Sequence, residues 1–331
     1  MEIKAADVAK LRQMTGAGMM DCKKALVEAE GDYERAKEII REKGKLVAAK
    51  RADRETSEGA VIAKVNGGKA IVVGLGCETD FVAKNAEFQA LAEAIAEAAI
   101  TNFPADKDAL MACALADGRT VEMAVTEQTG KTGEKHVIVA YETVEAPFIS
   151  AYMHKITGKL AAVVGFNKAF DEQTAKGVAM QVASMNPVAV SAESVPQSGI
   201  DVELKTATEK TKEELVQKAV DAALNKAGIN PAHVDSEAHI ESNQAKGWIT
   251  AEQAEQAREI IKTVSAEKAA NLPEQMVANI AKGRLQKFFK EQTLEEQGYQ
   301  MGDGKTPVKD VVKAADAEAK ILAFKRVSLA D

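Results

Sequence analysis

The sequence AVIAKVNGGKAIVVGLGC, residues 60–77, decides the fold class. Two short apolar runs flank the tripeptide Asn66-Gly67-Gly68. Apolar runs of this length on either side of an Asn-Gly pair are typical of two strands joined by a tight turn. The stretch therefore predicts a β-hairpin.

A loop and a helix are predicted directly after the hairpin. The polar residues ETD (residues 78–80) are followed by Phe88, Leu91 and Ile95 at helical spacing. Thr79 or Asp80 can cap this helix, because both side chains accept hydrogen bonds from free backbone N–H groups. The unit is hairpin, loop, helix.

The same unit recurs later in the chain. APFISAYMH and KLAAVVGFN flank residues 155–158, DEQTAKGVAMQVASM follows as a helix, and ILAFKRVSL near the end predicts a last strand. The fold class predicted is α+β, with a duplicated core of small antiparallel sheets and packed helices. Subdomain N covers residues 55–145 and subdomain C covers residues 146–196 and 273–331.

Two helical regions lie outside this core. Residues 1–54 predict a head of three short helices, separated by the turn at residues 15–18 and by Gly31, with the third helix capped by Asp32 and ending at Gly44. Residues 197–272 predict an inserted antiparallel hairpin of two helices. Capping-box patterns mark their starts at Thr211/Glu214 and Thr250/Gln253.

Composition argues against several functional classes. The chain of 331 residues has 43 Lys and Arg against 50 Asp and Glu, a formal charge of −7, which is too acidic for a general binder of nucleic acid. Cys22, Cys77 and Cys113 lie far apart without a CxxC pair, so reduced thiols are expected. Neither a signal peptide nor a membrane span is recognisable, so a cytoplasmic location is expected.

No motif argues for catalysis or a bound cofactor. The sequence GDGKT (residues 302–306) ends like a Walker A loop, but Tyr299 occupies the position of the required first glycine. It is interpreted as a turn before a helix at Val308. His233 and His239 lie near acidic residues without a ligand pattern, and are interpreted as surface histidines. We therefore expect no catalytic residue, no metal site and no cofactor.

Two features can be contact surface. Met19 and Met20 open the second helix beside Lys23, and neighbouring methionines on one short helix cannot both enter the same small core. One is expected to face outward, either incidentally or as part of a docking patch. Phe81 follows the polar loop, where its ring can either cover the first turn of the next helix or project outward.

The residues that carry these features resemble a known family. LRQMTGAGMMDCKKAL (residues 11–26) and ETDFVAKN (residues 78–85) are similar to the two signatures of the bacterial translation elongation factor Ts family. The resemblance continues through Tyr152, His154, GRLQKF (residues 283–288) and Lys305-Thr306. It leaves out about residues 197–272.

This resemblance implies a guanine nucleotide exchange factor, not an enzyme, that promotes GDP release from elongation factor Tu in protein biosynthesis. It implies a ubiquitin-associated-like head, a dimerisation-type core and a helical-hairpin insertion. The implied partner is elongation factor Tu, both GDP-bound and nucleotide-free, with no direct nucleic acid or membrane contact. The resemblance leaves open whether the chain forms a homodimer.

The resemblance also implies three groups of partner-binding residues. In the loop, Asp80 and Phe81 would enter the partner's nucleotide-binding domain, with Phe81 wedged between two helices beside the magnesium site. The groups are the loop residues Thr79, Asp80, Phe81 and Val82, the head residues Met19, Met20 and Lys23, and the core residues His154 and Met301. We call residues 79–82 the wedge segment.

Two departures from the family pattern lie close to the implied contact residues, and residues 197–272 are longer than the insertion that the family implies. Gly74 and Gly76 precede Cys77 where the family has larger residues, which predicts a looser strand before the wedge segment. Lys155 and Ile156 replace glycines after His154. Two other functions are weighed against exchange: a non-catalytic adaptor that binds other proteins through the head, and a nucleotide-hydrolysing enzyme built on residues 304–306.

Overall fold

The computed structural model describes residues 3–330, so the outermost residues of the predicted ranges 1–54 and 273–331 lie outside it. The described chain forms two compact units. Unit 1 contains residues 3–190 and 294–330, and unit 2 contains Ser191–Thr293. Each unit is described separately.

Two three-stranded antiparallel sheets form the centre of unit 1. The first has the order β1 (Glu58–Asn66), β2 (Lys69–Cys77) and β3 (Val137–Glu145). The second has the order β4 (Phe148–Met153), β5 (Leu160–Phe166) and β6 (Ile321–Ser328). Both predicted hairpins and the predicted last strand are confirmed, and the fold class is α+β. The sequence analysis did not identify β3.

The sheets pack face to face, and each carries a helix on its outer face. Small side chains such as Ala63, Ala70 and Ala161 fill the space between the sheets. α5 (Ala86–Asn102) covers the first sheet and α8 (Glu172–Met185) covers the second. Because the central strands β2 and β5 are buried on both faces, they are apolar almost throughout.

Shorter helices connect the strands of unit 1. They are α4 (Asp80–Ala83), α6 (Lys107–Ala112), α7 (Val121–Thr132) and α13 (Val308–Ala315). The last confirms the helix predicted at Val308.

The head consists of α1 (Ala5–Thr15), α2 (Met19–Glu28) and α3 (Tyr33–Lys50), and Asp32 caps α3 as predicted. The predicted end of the third helix at Gly44 is wrong, because α3 continues to Lys50. A Cβ on Gly44 would lie 2.8 Å from the backbone oxygen of Thr126, and one on Gly130 would lie 3.2 Å from the Cα of Gly44. Gly44 therefore allows α3 to approach α7 closely instead of ending the helix.

Unit 2 is helical in the part of the chain that the structure describes. It contains α9 (Gln197–Lys226), α10 (Glu237–Ala245), α11 (Ala251–Ala270) and α12 (Glu274–Gln292). The capping box at Thr250 and Gln253 is confirmed. The one at Thr211 is wrong: Thr211 is buried within α9, and its hydroxyl donates to the Ala207 oxygen at 2.6 Å.

Unit 2 is longer than the predicted insertion of residues 197–272. It contains more helices than the two that were predicted. The difference at the C-terminal side is α12, which packs along α9 and contributes Arg284 to an ion pair with Glu214 at 2.5 Å. Val277 and Ala281 form the buried side of α12. Removing residues 197–272 alone would leave α12 without its partner helix.

We expect unit 1 to fold after deletion of residues 191–293 and insertion of a short Gly/Ser bridge. The two ends already run side by side, because Leu294 donates to the Ala189 oxygen and Glu295 to the Val190 oxygen, each at 2.9 Å. Thermal unfolding followed by circular dichroism should remain cooperative. A broad, non-cooperative melt at every bridge length would contradict the expectation.

Candidate functional site

The wedge segment begins where β2 ends, at the start of the short helix α4. Thr79 has extended backbone dihedrals, and its hydroxyl oxygen accepts a hydrogen bond from the Val82 N–H at 3.4 Å. Thr79 is therefore the residue that caps the helix, and Asp80 is its first residue. The chain turns sharply at this point from a buried strand to an exposed helix.

A carboxylate from another part of the chain holds Thr79. Glu134, in the turn between α7 and β3, accepts from the Thr79 N–H at 3.1 Å and from the Thr79 hydroxyl at 2.6 Å. Sequence reasoning missed Glu134, because its partner is far away in sequence and no local pattern marks the contact.

A second carboxylate is fixed beside it. Nη1 of Arg51 donates to both oxygens of Glu78, at 2.8 and 2.7 Å, and the Lys135 N–H donates to one of them at 2.6 Å. Burial alone would raise the pKa of Glu78, but the Lys135 N–H and the Arg51 guanidinium outweigh it and hold that pKa below its ordinary value. The residue before the wedge segment is thus tied to the end of α3.

Phe81 projects into solvent from this fixed base. Its side chain is 84% exposed, whereas Val82 packs on the hydrophobic core and Ala83 is buried. The interpretation that Phe81 covers the first turn of its helix is therefore wrong. A ring that is exposed on a well-held turn is available for contact with a partner.

Asp80 presents a negative charge beside that ring. Its carboxylate pairs with Lys84 at 2.6 Å, one turn along the chain. The hydrogen bond from Lys84 lowers the pKa of Asp80 below its ordinary value, so the group is ionised near neutral pH. Both side chains are exposed and free to exchange this pairing for another.

The strand before the wedge segment is tightly packed, contrary to the looser strand that its glycines predict. A Cβ on Gly74 or Gly76 would lie 2.8 Å from a methyl group of Val139, so the glycines allow that side chain to pack over β2. Gly76 pairs with Gly59 in β1 and with Val137 in β3.

Burial raises the pKa of the Cys77 thiol to about 12, so this thiol is protonated and unreactive near neutral pH.

His154 lies in the same cleft as Asp80. The cleft has a volume of about 650 Å³, and its lining includes Asp80, Lys84, His154, Lys159 and Arg326. His154 follows β4, where its Nδ1 is hydrogen-bonded to the Thr157 hydroxyl at 2.9 Å and its N–H donates to the Leu160 oxygen at 2.8 Å. The structure therefore brings His154 and the wedge segment together.

The turn that follows His154 is well formed despite the residues at positions 155 and 156. Gly158 supplies the left-handed backbone conformation, with φ of 64°, and donates to the His154 oxygen at 2.8 Å. Ile156 is 92% exposed at the tip of this turn. The substitution of glycines by Lys155 and Ile156 adds an apolar tip without opening the turn.

Met301 is not brought to the cleft. It is half-exposed in a separate turn, in which the Asp303 carboxylate accepts from the N–H groups of Lys305 and Thr306, each at 2.8 Å. These contacts confirm that residues 302–306 form a turn. Met301 is not among the residues that line the cleft of Asp80 and His154.

The head carries a separate exposed surface on α2. The inner side of α2 is formed by Cys22, Ala25 and Leu26, which are buried. The outer side is formed by Met19, Met20, Lys23 and Val27, all exposed, which we call the head patch. The prediction was that one of the two methionines faces outward; both do.

The remaining candidates show no site geometry. His239 is hydrogen-bonded to Asp235, and the ring of His233 lies 5.6 Å from that of Trp248. Among residues 3–330, no group of three or more His, Cys, Asp and Glu side chains could hold a metal ion. None of the helices described is long and apolar enough to cross a membrane.

Comparisons with known proteins agree on one family. A family model described as Elongation factor TS matches residues 78–229 and 217–331. Proteins named Elongation factor Ts from Bacteroides fragilis and Bacteroides thetaiotaomicron are 56% and 55% identical to the chain over 329 residues, 99% of each sequence. One from Porphyromonas gingivalis is 39% identical over the same length, again 99% of each sequence. The similarity thus includes the head and unit 2.

Proposed function

Because the chain belongs to the elongation factor Ts family, we propose that it is a guanine nucleotide exchange factor for elongation factor Tu. The family name itself assigns it to translation elongation in protein biosynthesis. The finer proposal concerns mechanism: the wedge segment enters the nucleotide-binding domain of elongation factor Tu and promotes release of GDP. In this proposal, no residue of the chain makes or breaks a covalent bond.

The observation that supports this mechanism best is the exposure of Phe81 on a fixed base. An 84% exposed ring stands on a helix whose cap is held by Glu134 and whose next residues pack into the core. Such a ring can enter a gap between packed helices without first being ordered, so little binding energy is lost in fixing it. His154 and the Asp80 carboxylate line the adjoining cleft and would contact the same partner.

The physical basis is the strict geometry of the partner's nucleotide site. A guanine nucleotide is held by phosphate-binding amides and by a magnesium ion that requires near-ideal octahedral coordination. Close-packed protein interiors transmit a displacement instead of absorbing it. A ring inserted between two helices near the ion can therefore weaken GDP binding without touching the nucleotide.

Thermodynamic linkage relates the binding of GDP to elongation factor Tu to the binding of this protein. The factor by which this protein lowers the affinity of elongation factor Tu for GDP equals the factor by which GDP lowers the affinity for this protein. Both the GDP-bound and the nucleotide-free forms of elongation factor Tu are thus partners, with the second bound more tightly. GTP in excess can refill the empty site.

The test is the release of fluorescently labelled GDP from elongation factor Tu, chased with excess unlabelled nucleotide. We expect the rate constant for release to rise with the concentration of this protein and to saturate. A rate constant that does not change over the whole concentration range would refute the proposed function.

The head patch is proposed as a second contact with elongation factor Tu. We expect the double substitution Met19→Ala, Met20→Ala to weaken binding to nucleotide-free elongation factor Tu by about 1 to 2 kcal/mol, roughly 5- to 30-fold in Kd, because two exposed apolar side chains are removed. Isothermal titration calorimetry measures the change. Met14→Ala, at a half-exposed methionine on α1 outside the head patch, is the control. Equal affinities for both variants would contradict the contact.

The head patch also supports the alternative function of an adaptor for other proteins. Exposed methionines adapt to many apolar partners, so this surface alone does not specify elongation factor Tu. An affinity capture with the whole protein separates the two functions. Recovery of elongation factor Tu supports exchange, and recovery of other proteins in its absence supports the adaptor.

A further inference from the structure

Glu134 accepts two hydrogen bonds from Thr79, the first residue of the wedge segment. We infer that Glu134 is a positioning residue for the wedge segment, which sets the direction in which Phe81 projects. The inference rests on the proposed function, because the direction of Phe81 matters for activity only if that ring enters the partner. Glu134 itself is not expected to touch elongation factor Tu.

The geometry fixes Thr79 in both position and rotation. One carboxylate oxygen of Glu134 accepts from the Thr79 N–H and the other accepts from the Thr79 hydroxyl, at 3.1 and 2.6 Å. Hydrogen bonds to an ionised carboxylate are stronger than neutral ones. Two such bonds to a single residue restrain its backbone and its side chain together.

The contact also determines how Thr79 caps α4. A threonine hydroxyl has one proton to donate and lone pairs to accept with. Since that proton is donated to Glu134, a lone pair remains for the Val82 N–H at 3.4 Å. Glu134 therefore orients the cap of the helix on which Phe81 is the second residue.

Glu134 is held by its own surroundings. Its N–H donates to the Thr132 hydroxyl at 3.1 Å, and its backbone oxygen is 2.9 Å from Nδ1 of His136. His136 is buried against Phe88, with 5.6 Å between ring centroids. Burial lowers the pKa of His136, so a neutral ring lies next to Glu134 near neutral pH.

Other contacts hold the C-terminal end of α4: Val82 packs on the core, Ala83 is buried, and Nε2 of Gln89 donates to the Ala83 oxygen at 2.6 Å. At the cap, the Cys77 thiol contacts the Thr79 oxygen at 3.3 Å, which leaves the N–H and the hydroxyl of Thr79 to Glu134. The ion pair between Asp80 and Lys84 lies on the exposed side of α4, where such pairs contribute little. The bonds from Arg51 and Lys135 fix Glu78, which precedes the cap and does not orient it. Loss of Glu134 should therefore loosen the N-terminal end of α4, which carries Phe81, while the core beneath it stays folded.

The effect should appear in the maximal exchange rate more than in the concentration at half-saturation. A misdirected ring reduces the fraction of complexes in which the partner's site is displaced, and small errors in placement have large effects on rate. The head patch lies on α2 and keeps its geometry, so much of the affinity is retained. This split separates a positioning role from a general loss of stability.

The experiment uses the full chain and three variants. Glu134→Ala removes both bonds, and Glu134→Gln keeps one oxygen that can accept. Glu142→Ala is the matched control, because Glu142 is a half-buried carboxylate on β3 that pairs with Lys325 at 2.6 Å. Amide hydrogen exchange of residues 78–85 is measured on the free protein, and GDP release is measured over a range of protein concentrations.

We expect Glu134→Ala to speed exchange of the Thr79 and Val82 amides roughly tenfold and to lower the maximal rate of GDP release roughly tenfold. Its half-saturating concentration should stay within about twofold. Glu134→Gln should recover most of the maximal rate, and Glu142→Ala should match the parent in both measurements.

The outcomes separate the two proposals. If the parent protein does not accelerate GDP release, the proposed function fails, and amide exchange still tests the contact. If the parent accelerates release and Glu134→Ala has the same maximal rate or the same amide exchange, the positioning role is overturned. Should Glu134→Ala fail to fold, Thr79→Val takes its place; it loses both contacts of the Thr79 hydroxyl, with Glu134 and with the Val82 N–H, and keeps the bond from its own N–H to Glu134. An unchanged maximal rate in Thr79→Val also overturns the inference.

Discussion

Replacing Phe81 with Ala should lower the maximal rate of GDP release roughly 30- to 150-fold, which corresponds to about 2 to 3 kcal/mol. The ring is 84% exposed in the free protein, so its removal leaves no cavity and exposes no core. The free energy of unfolding should therefore change little. Stopped-flow fluorescence with labelled GDP measures the rate, and chemical denaturation checks the fold.

Two further variants sharpen this test. Phe81→Leu keeps an apolar side chain with less reach and should fall between the parent and Phe81→Ala. Trp248→Ala removes another exposed aromatic side chain, 61% exposed in unit 2, and should exchange nucleotide at the parent rate. Parent-like exchange by Phe81→Ala would exclude the wedge mechanism.

Replacing Gly44 with Leu should destabilise the packing of the head on α7 by about 2 kcal/mol. A side chain at this position meets the backbone oxygen of Thr126 at 2.8 Å, and a backbone atom cannot move aside as the end of a flexible side chain can. The close approach also carries an ion pair, since Arg41 on α3 binds Glu127 on α7 at 2.7 Å. Separation of the helices would weaken both contacts.

The measurement is the urea concentration at the midpoint of unfolding, together with amide exchange along α3 and α7. Gly283→Leu is the matched control, because a Cβ at Gly283 in α12 would meet no atom within 4 Å. That variant should gain stability, since leucine favours a helix over glycine by up to about 1 kcal/mol. Equal midpoints for the two variants would show that the α3–α7 contact has no special constraint.

The sequence predicted the elements whose signals are local. The hairpin at residues 60–77 and the cap at Asp32 depend on neighbours only a few positions away, and both are confirmed. The predictions at Gly44 and Thr211 were wrong because the role of each residue is not the one that its neighbours in sequence indicate. Each carries a local signal for a helix boundary, but Gly44 serves packing against a distant helix and Thr211 bonds within its own helix.

The candidate site was predictable only in part. The resemblance to the family supplied Phe81, whereas the local pattern also allowed a ring folded over its own helix. The cap of the helix that carries the ring contacts Glu134, which is 55 positions from Thr79 and carries no sequence signal for this contact. Met301 came from the resemblance alone, and the cleft that contains His154 does not include it.

The position of Trp248 determines what can be seen by optical spectroscopy. It is the single tryptophan of the chain and lies in unit 2, half-exposed beside the ring of His233. Excitation at the red edge of protein absorbance thus illuminates one indole, whose emission depends on the local environment of unit 2. In the free protein, a quenching or a spectral shift is then an intrinsic signal from the inserted helices, with no dye attached.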